Sequence, residues 1–192
     1  MKAICLYGGR FDPVHVAHLI LAELAREALK LDQITFLPTP NPPHKGCNTA
    51  FCHRYAMLKL AVADDHNFVV SDIEEKRGGV SYTIDTVRYF LDKCGFNRVY
   101  FLMGSDSLAE IKTWREWQEL IQLAKVVVIG RPGHDINNVD SDILKQVEQI
   151  ETPTFEISAS MIRQRVREGR SIRFMVPVAV ERYIISEGLY LE

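Results

Sequence analysis

The stretch Gly8-Gly9-Arg10-Phe11-Asp12-Pro13-Val14-His15-Val16-Ala17-His18 decides how the rest of the chain is read. Before it, residues 3–7 form a short apolar run suited to a buried strand. After it, residues 15–29 carry apolar side chains at helical spacing. Strand, glycine turn and helix in that order make the opening unit of a parallel α/β sheet. Two glycines let the backbone turn tightly and approach a ligand with no Cβ in the way. Asp12 suits an N-cap and Pro13 the first helical position. On that reading His15 and His18 share one face of the first turn, at the positive end of a helix. Such a place favours a polyphosphate.

Working outward, the alternation continues. Strands are predicted at 33–37, 68–71, 98–103 and 126–130, and helices at 54–63 and 83–91, with helical turns over 107–122. The run Lys125-Val126-Val127-Val128-Ile129 has the continuous apolar character of a strand covered on both faces. Beyond Gly133 come a polar stretch (134–142), a predicted helix over 143–150, a short strand at 154–157, and helices over about 159–167 and 178–186. The expectation is an α/β fold, a Rossmann-like doubly wound parallel sheet with helices on both faces. It forms a single domain over 1–192, with a helical C-terminal portion from about 158.

Composition narrows the class. Of 192 residues, 23 are basic and 25 acidic, a net charge of −2, with 47% hydrophobic and 25% charged. These values fit an ordinary globular protein and exclude a disordered tail, a collagen-like chain and a globally basic nucleic-acid coat. No stretch approaches the roughly 18 uncharged apolar residues of a membrane span, and the apolar start is too short for a signal peptide. Cytoplasmic location, with no nucleic-acid or membrane partner, follows as an expectation; a homo-oligomer is left open. Cys5, Cys47, Cys52 and Cys94 are scattered and read as free thiols. His44, Cys47, Cys52 and His53 are close in sequence, but they lack the paired cysteine spacing of a zinc site and read as loop residues.

Neither G-x-x-x-x-G-K-[ST] nor G-x-G-x-x-G occurs, which argues against a P-loop protein and a nicotinamide-dependent dehydrogenase. The opening stretch instead resembles the G-G-[ST]-F-D-P-x-H-x-G-H signature of the nucleotidylyltransferase superfamily, in the form seen in bacterial nicotinate-nucleotide adenylyltransferases. Arg10 stands where the family has a small hydroxyl residue, and Ala17 where it has the glycine of H-x-G-H. Ile157-Ser158-Ala159-Ser160-Met161-Ile162-Arg163 is similar to the family's I-S-[SA]-[ST]-x-I-R. Ser158 is a plausible N-cap there, Ser160 lies in the first turn, and Arg163 offers forked donors to phosphate oxygens. Residues 158–175 hold five arginines where even spread would place about two. Arg163 and Arg167 share a helix face; Arg165 and Arg170 are expected in solvent. With no aromatic platform interleaved, RNA binding is the weaker reading of that cluster.

Three further stretches resemble the same family: Pro42-Pro43-His44-Lys45, Ser81-Tyr82-Thr83-Ile84-Asp85-Thr86, and Gly104-Ser105-Asp106 followed by Trp114 and Trp117. A tryptophan pair at this spacing is usually packing; Trp114 is assigned to stacking and Trp117 to the core. The resemblance implies adenylyl transfer from ATP to nicotinate mononucleotide, giving deamido-NAD and pyrophosphate in NAD biosynthesis. It implies catalytic His15, His18 and Arg163. ATP would bind at Gly8, Gly9, Phe11, His15, His18, Ser158, Ser160 and Arg163. Nicotinate mononucleotide would bind at Lys45, Thr83, Asp106 and Trp114. Mg²⁺ would be held mainly by the ATP phosphates rather than by a protein cage. The alternatives are a sister transferase acting on nicotinamide mononucleotide, phosphopantetheine or a cytidylyl-transfer substrate, and a non-catalytic nucleotide-sensing module.

Overall fold

The computed structural model describes residues 2–43, 49–130 and 139–191. Six parallel strands form one sheet in the order β3-β2-β1-β4-β5-β6: β1 (Ala3–Gly9), β2 (Ile34–Pro38), β3 (Phe68–Val70), β4 (Arg98–Gly104), β5 (Ala124–Ile129) and β6 (Glu148–Ile150). β1 pairs with both β2 and β4, so the chain winds one way from β1 to β3 and the other way from β4 to β6. The crevice at such a reversal lies outside the carboxyl ends of the central strands, here Gly8, Gly9 and Gly104.

Strand alternation distributes the core into two layers. Cys5 and Tyr7 of β1, with Val127 and Ile129 of β5, face one layer; Leu6, Val126 and Val128 face the other. Three helices close the first layer: α1 (Val16–Ala28), α2 (Phe51–Ala61) and α9 (Val178–Ser186). They contribute Leu21, Leu58 and Ile184. The second is closed by α4 (Thr83–Asp92) and α6 (Trp117–Leu123), through Ile84, Val87 and Leu120. Both faces are therefore covered, as the continuous apolar run of β5 predicts. The remaining helices are α3 (Ile73–Arg77), α5 (Ser105–Ala109), α7 (Ser141–Leu144) and α8 (Ala159–Arg167), with a 3₁₀ turn at Ile111–Thr113.

Five local expectations are corrected. The first helix does not start at Asp12 and Pro13. The Asp12–Pro13 peptide is cis, and His15, in extended conformation, takes the N-cap with Val16 as the first helical residue. The predicted helix over 143–150 divides into α7 and strand β6, whose Glu148–Ile150 pairs with Val127–Ile129. The open edge of β5 has backbone groups to satisfy, and that demand outweighs a weak helical pattern. Residues 154–157 are correspondingly left as non-sheet chain. Arg165 is half-buried, not solvated, because its Nε donates to Ser171 O at 2.8 Å. Of the residues read as a loop near Cys52, His44 and Cys47 lie outside the described residues. Cys52 and His53 belong to α2, where His53 Nδ1 meets the Tyr183 hydroxyl of α9 at 3.0 Å.

Candidate functional site

A cavity of about 310 Å³ opens at the sheet's switch point and collects residues from both halves of the fold. On one side it is lined by Gly8, Gly9, Arg10, Phe11, Asp12, His15, His18 and Arg163, and on the other by Ser81, Tyr82, Thr83, Asp106 and Trp114.

The glycine turn is shaped from within. A Cβ on Gly9 would lie 2.9 Å from the Phe11 ring, so the missing side chain makes room for the protein's own aromatic. Phe11 adopts a left-handed φ of 49°, is 3% exposed, and meets His18 edge-on at 5.0 Å and Tyr7 at 5.5 Å. The His15 and His18 rings stack with centroids 3.6 Å apart. The His15 amide donates to His18 Nδ1 at 3.2 Å. A neutral His18 therefore carries its proton on Nε2 and is a donor at that end. Ala17, at the family's glycine position, is buried and also lines the cavity.

Three distant side chains hold this turn. Arg163 Nη1 donates to Asp12 O at 2.6 Å. The Tyr190 hydroxyl donates to Asp12 Oδ1 at 2.8 Å. Arg54, fully buried on α2, donates to Arg10 O at 2.8 Å and to Thr49 O at 3.1 Å. Burial and the adjacent Asp12 carboxylate push the Tyr190 phenol well above its ordinary range, so it stays a donor. Ser158 caps α8, accepting from the Met161 amide at 3.2 Å. Ser160 is exposed, its hydroxyl 3.0 Å from that of Ser158, and neither serine lines the cavity.

On the opposite wall Thr83 is the first residue of α4, and Trp114 packs edge-on against Phe101 at 6.1 Å. Trp117 begins α6 and packs against the second core layer. Lys45 lies outside the described residues. Glu74 of α3 also lines the cavity; its Oε1 accepts from Thr86 Oγ1 at 2.7 Å. Burial pushes its carboxyl above the usual range, partly offset by Thr86, Arg77 and Ser81.

Sequence reasoning missed Arg54, Glu74 and Tyr190. Arg54 sits in a helix of ordinary composition, Glu74 in a five-residue helix with no periodicity to detect, and Tyr190 far beyond the motifs. A charged residue among apolar ones in Arg54-Tyr55-Ala56-Met57-Leu58 was the one usable signal. Among the described residues, no three His, Cys, Asp or Glu side chains gather as a metal cage. The carboxylates Asp12 and Asp106 face the same cavity, so a divalent ion fits here as one carried by phosphates. Among the described residues no helix is long and apolar enough to cross a membrane.

Residues 6–165 match the family model described as cytidylyltransferase-like. A protein of Desulfitobacterium hafniense named "Probable nicotinate-nucleotide adenylyltransferase" is 39% identical, covering 98% of this chain and 96% of that relative. One of the same name from Thermus thermophilus is 40% identical over 97% of this chain and 98% of its own. The solved structure of Plasmodium falciparum nicotinic acid mononucleotide adenylyltransferase complexed with NaAD shares the fold. Its TM-score is 0.82 at 25% identity, over 100% of both chains. The chain belongs to the cytidylyltransferase-like family and, within it, to the nicotinate-nucleotide adenylyltransferases.

Proposed function

We propose that the protein joins the adenylyl group of ATP to nicotinate mononucleotide, giving deamido-NAD and pyrophosphate. The observation that carries the reading is one cavity holding both the His15–His18 stack with Arg163 and the α4 mouth with Trp114. An oxygen of the acceptor's 5′-phosphate bonds to the α-phosphorus of ATP, and the bond from that phosphorus to the bridging oxygen breaks. The acceptor is already ionised, so no enzymic nucleophile is needed. Catalysis is alignment together with stabilisation of negative charge on the transferred and leaving phosphates.

His18 donates from Nε2, His15 braces it by stacking, and Arg163 presents its fork while anchored to Asp12 O. The backbone of Gly8 and Gly9, with Phe11, shapes the ATP side, and Ser158 and Ser160 present the mouth of α8. A divalent ion such as Mg²⁺, carried by the phosphates with Asp12 and Asp106 on the cavity wall, would supply further charge neutralisation. On the acceptor side Trp114 stacks on the pyridine ring, Thr83 and Asp106 bind polar groups of the mononucleotide, and Lys45 pairs with its phosphate. The reaction takes place in the cytoplasm within one nucleotidylyltransferase domain.

The test is pyrophosphate release from ATP and Mg²⁺ with a panel of acceptors: nicotinate mononucleotide, nicotinamide mononucleotide, phosphopantetheine and a cytidylyl-transfer pair. Release with the first at the highest kcat/KM supports the proposal. Release with another acceptor alone moves the protein to a sister activity, and silence throughout leaves a nucleotide-sensing module.

A further inference from the structure

Arg54 is the largest of the fully buried side chains, yet among the described residues no carboxylate pairs with it. Its guanidinium donates to three backbone carbonyls: Arg10 O at 2.8 Å, Thr49 O at 3.1 Å and, more loosely, Pro40 O at 3.5 Å. The Phe51 ring of its own helix lies 5.7 Å from Cζ. Asp12, the acid of the same turn, is bonded to the Tyr190 hydroxyl instead. Carbonyls do not require a full charge, since a neutral amide donates to them as well. A buried charge is costly unless one of opposite sign answers it, and a guanidinium cannot shed its proton to escape that cost. We infer that Arg54 is a positioning residue for the triphosphate: a buried positive charge beneath the glycine turn, whose counter-ion is the bound polyphosphate. The inference rests on the ATP-site reading above and adds a residue that never touches the ligand.

Gly8, Gly9, Arg10 and Phe11 line the cavity and Arg54 does not, so the backbone of the turn stands between its charge and the ligand. Two effects cross that layer. The bond to Arg10 O polarises the Arg10–Phe11 peptide, and the Phe11 N–H at its opposite end becomes a stronger donor. The charge itself also acts through space. Buried among protein atoms, it is screened by water and salt far less than the exposed Arg10 guanidinium. Arg10, Arg54 and Arg163 together set three guanidinium groups at the turn against the one carboxylate of Asp12, an imbalance that an anion in the cavity corrects. Arg54 also joins the turn to the β2–α2 connection. Pro40 and Thr49 both lie in that connection, the Thr39 amide donates to Gly9 O at 2.9 Å, and Thr49 meets the Tyr190 hydroxyl.

The test is equilibrium binding of ATP, AMP and adenosine, without added metal, to the wild type, Arg54→Gln and Arg54→Lys, with thermal melts as the control for folding. Arg54→Gln keeps neutral donors toward the carbonyls and removes the charge. It is expected to weaken ATP about tenfold and AMP about threefold, in step with ligand charge, and uncharged adenosine less than about twofold. Arg54→Lys keeps a charge that burial makes easier to lose. Its ATP-over-AMP preference, divided by that of the wild type, is expected to fall from about one toward the Gln value between about pH 6 and about pH 9. The ligand phosphates and the site histidines titrate alike in both proteins, so that quotient isolates position 54. It decides the matter if Arg54→Gln does not fold. An equal loss of all three ligands in the Gln variant, or a quotient flat with pH in the Lys variant, overturns the inference. Nucleotide binding with no pyrophosphate release counts against the transfer reaction alone, and a wild type that binds none of the three overturns both.

Discussion

His18 receives the His15 amide proton on one ring nitrogen and keeps its own proton on the other, a division of labour that alanine abolishes. His18→Ala is expected to lower kcat about 10²–10³-fold, the usual loss for one preorganised donor to a charged transition state. Pyrophosphate release measures it, with an unshifted thermal midpoint as the control for folding. His15 and His18 could be named from spacing because the motif is local. Glu74 could not. Its significance depends on a partner twelve positions away, Thr86, and on burial that only the tertiary structure creates. Arg163 was legible as a candidate from its motif, but its bond to Asp12 O was not, because no one-dimensional pattern joins residues 151 apart.

At the scale of elements, the strands were legible because a sheet buried on both faces demands uninterrupted apolar runs, and β1, β4 and β5 have them. The start of α1 was misplaced because Asp12-Pro13 carries a valid start signal that the extended His15, which takes the N-cap, overrides. Residues 143–150 were misread because a three-residue edge strand is too short to show a period. α9 and its C-terminal extension have a role their own composition does not announce: they bring Tyr190 onto the turn that holds Asp12. Tyr190→Phe keeps the ring and removes the bond to Asp12 Oδ1. It is expected to raise KM for ATP about 3–10-fold, as for one hydrogen bond to a charged acceptor, with KM for the acceptor nearly unchanged. Equal rises in both constants would contradict a role confined to that turn.

Across the whole molecule, Glu74 sets a pH dependence of stability. Its folded pKa is raised, so the native state binds that proton more tightly than the unfolded chain does. Stability then falls as pH rises from the ordinary carboxyl value through the folded one, and stays lower above it. Glu74→Gln, which has no proton to lose, is expected to melt higher than wild type at neutral and alkaline pH and about equally at acid pH, by calorimetry. The ligand has the opposite effect. ATP at about one hundred times its Kd adds about 2.7 kcal/mol, a rise in Tm of about 5–10 °C for a chain this size. Thermal-shift measurement across ATP concentrations checks it, and Arg163→Ala should flatten the response.

The bonds to Asp12 also set an order of events during synthesis. Its partners Arg163 and Tyr190 stand 151 and 178 positions later in the chain. A ribosome releases β1 and the two histidines early, and Arg54 can reach the turn soon after, but the Asp12 carboxylate lacks its Tyr190 hydroxyl until residue 190 has cleared the exit tunnel. A product truncated before that tyrosine would keep most of its sheet and lack the bond that seats Asp12.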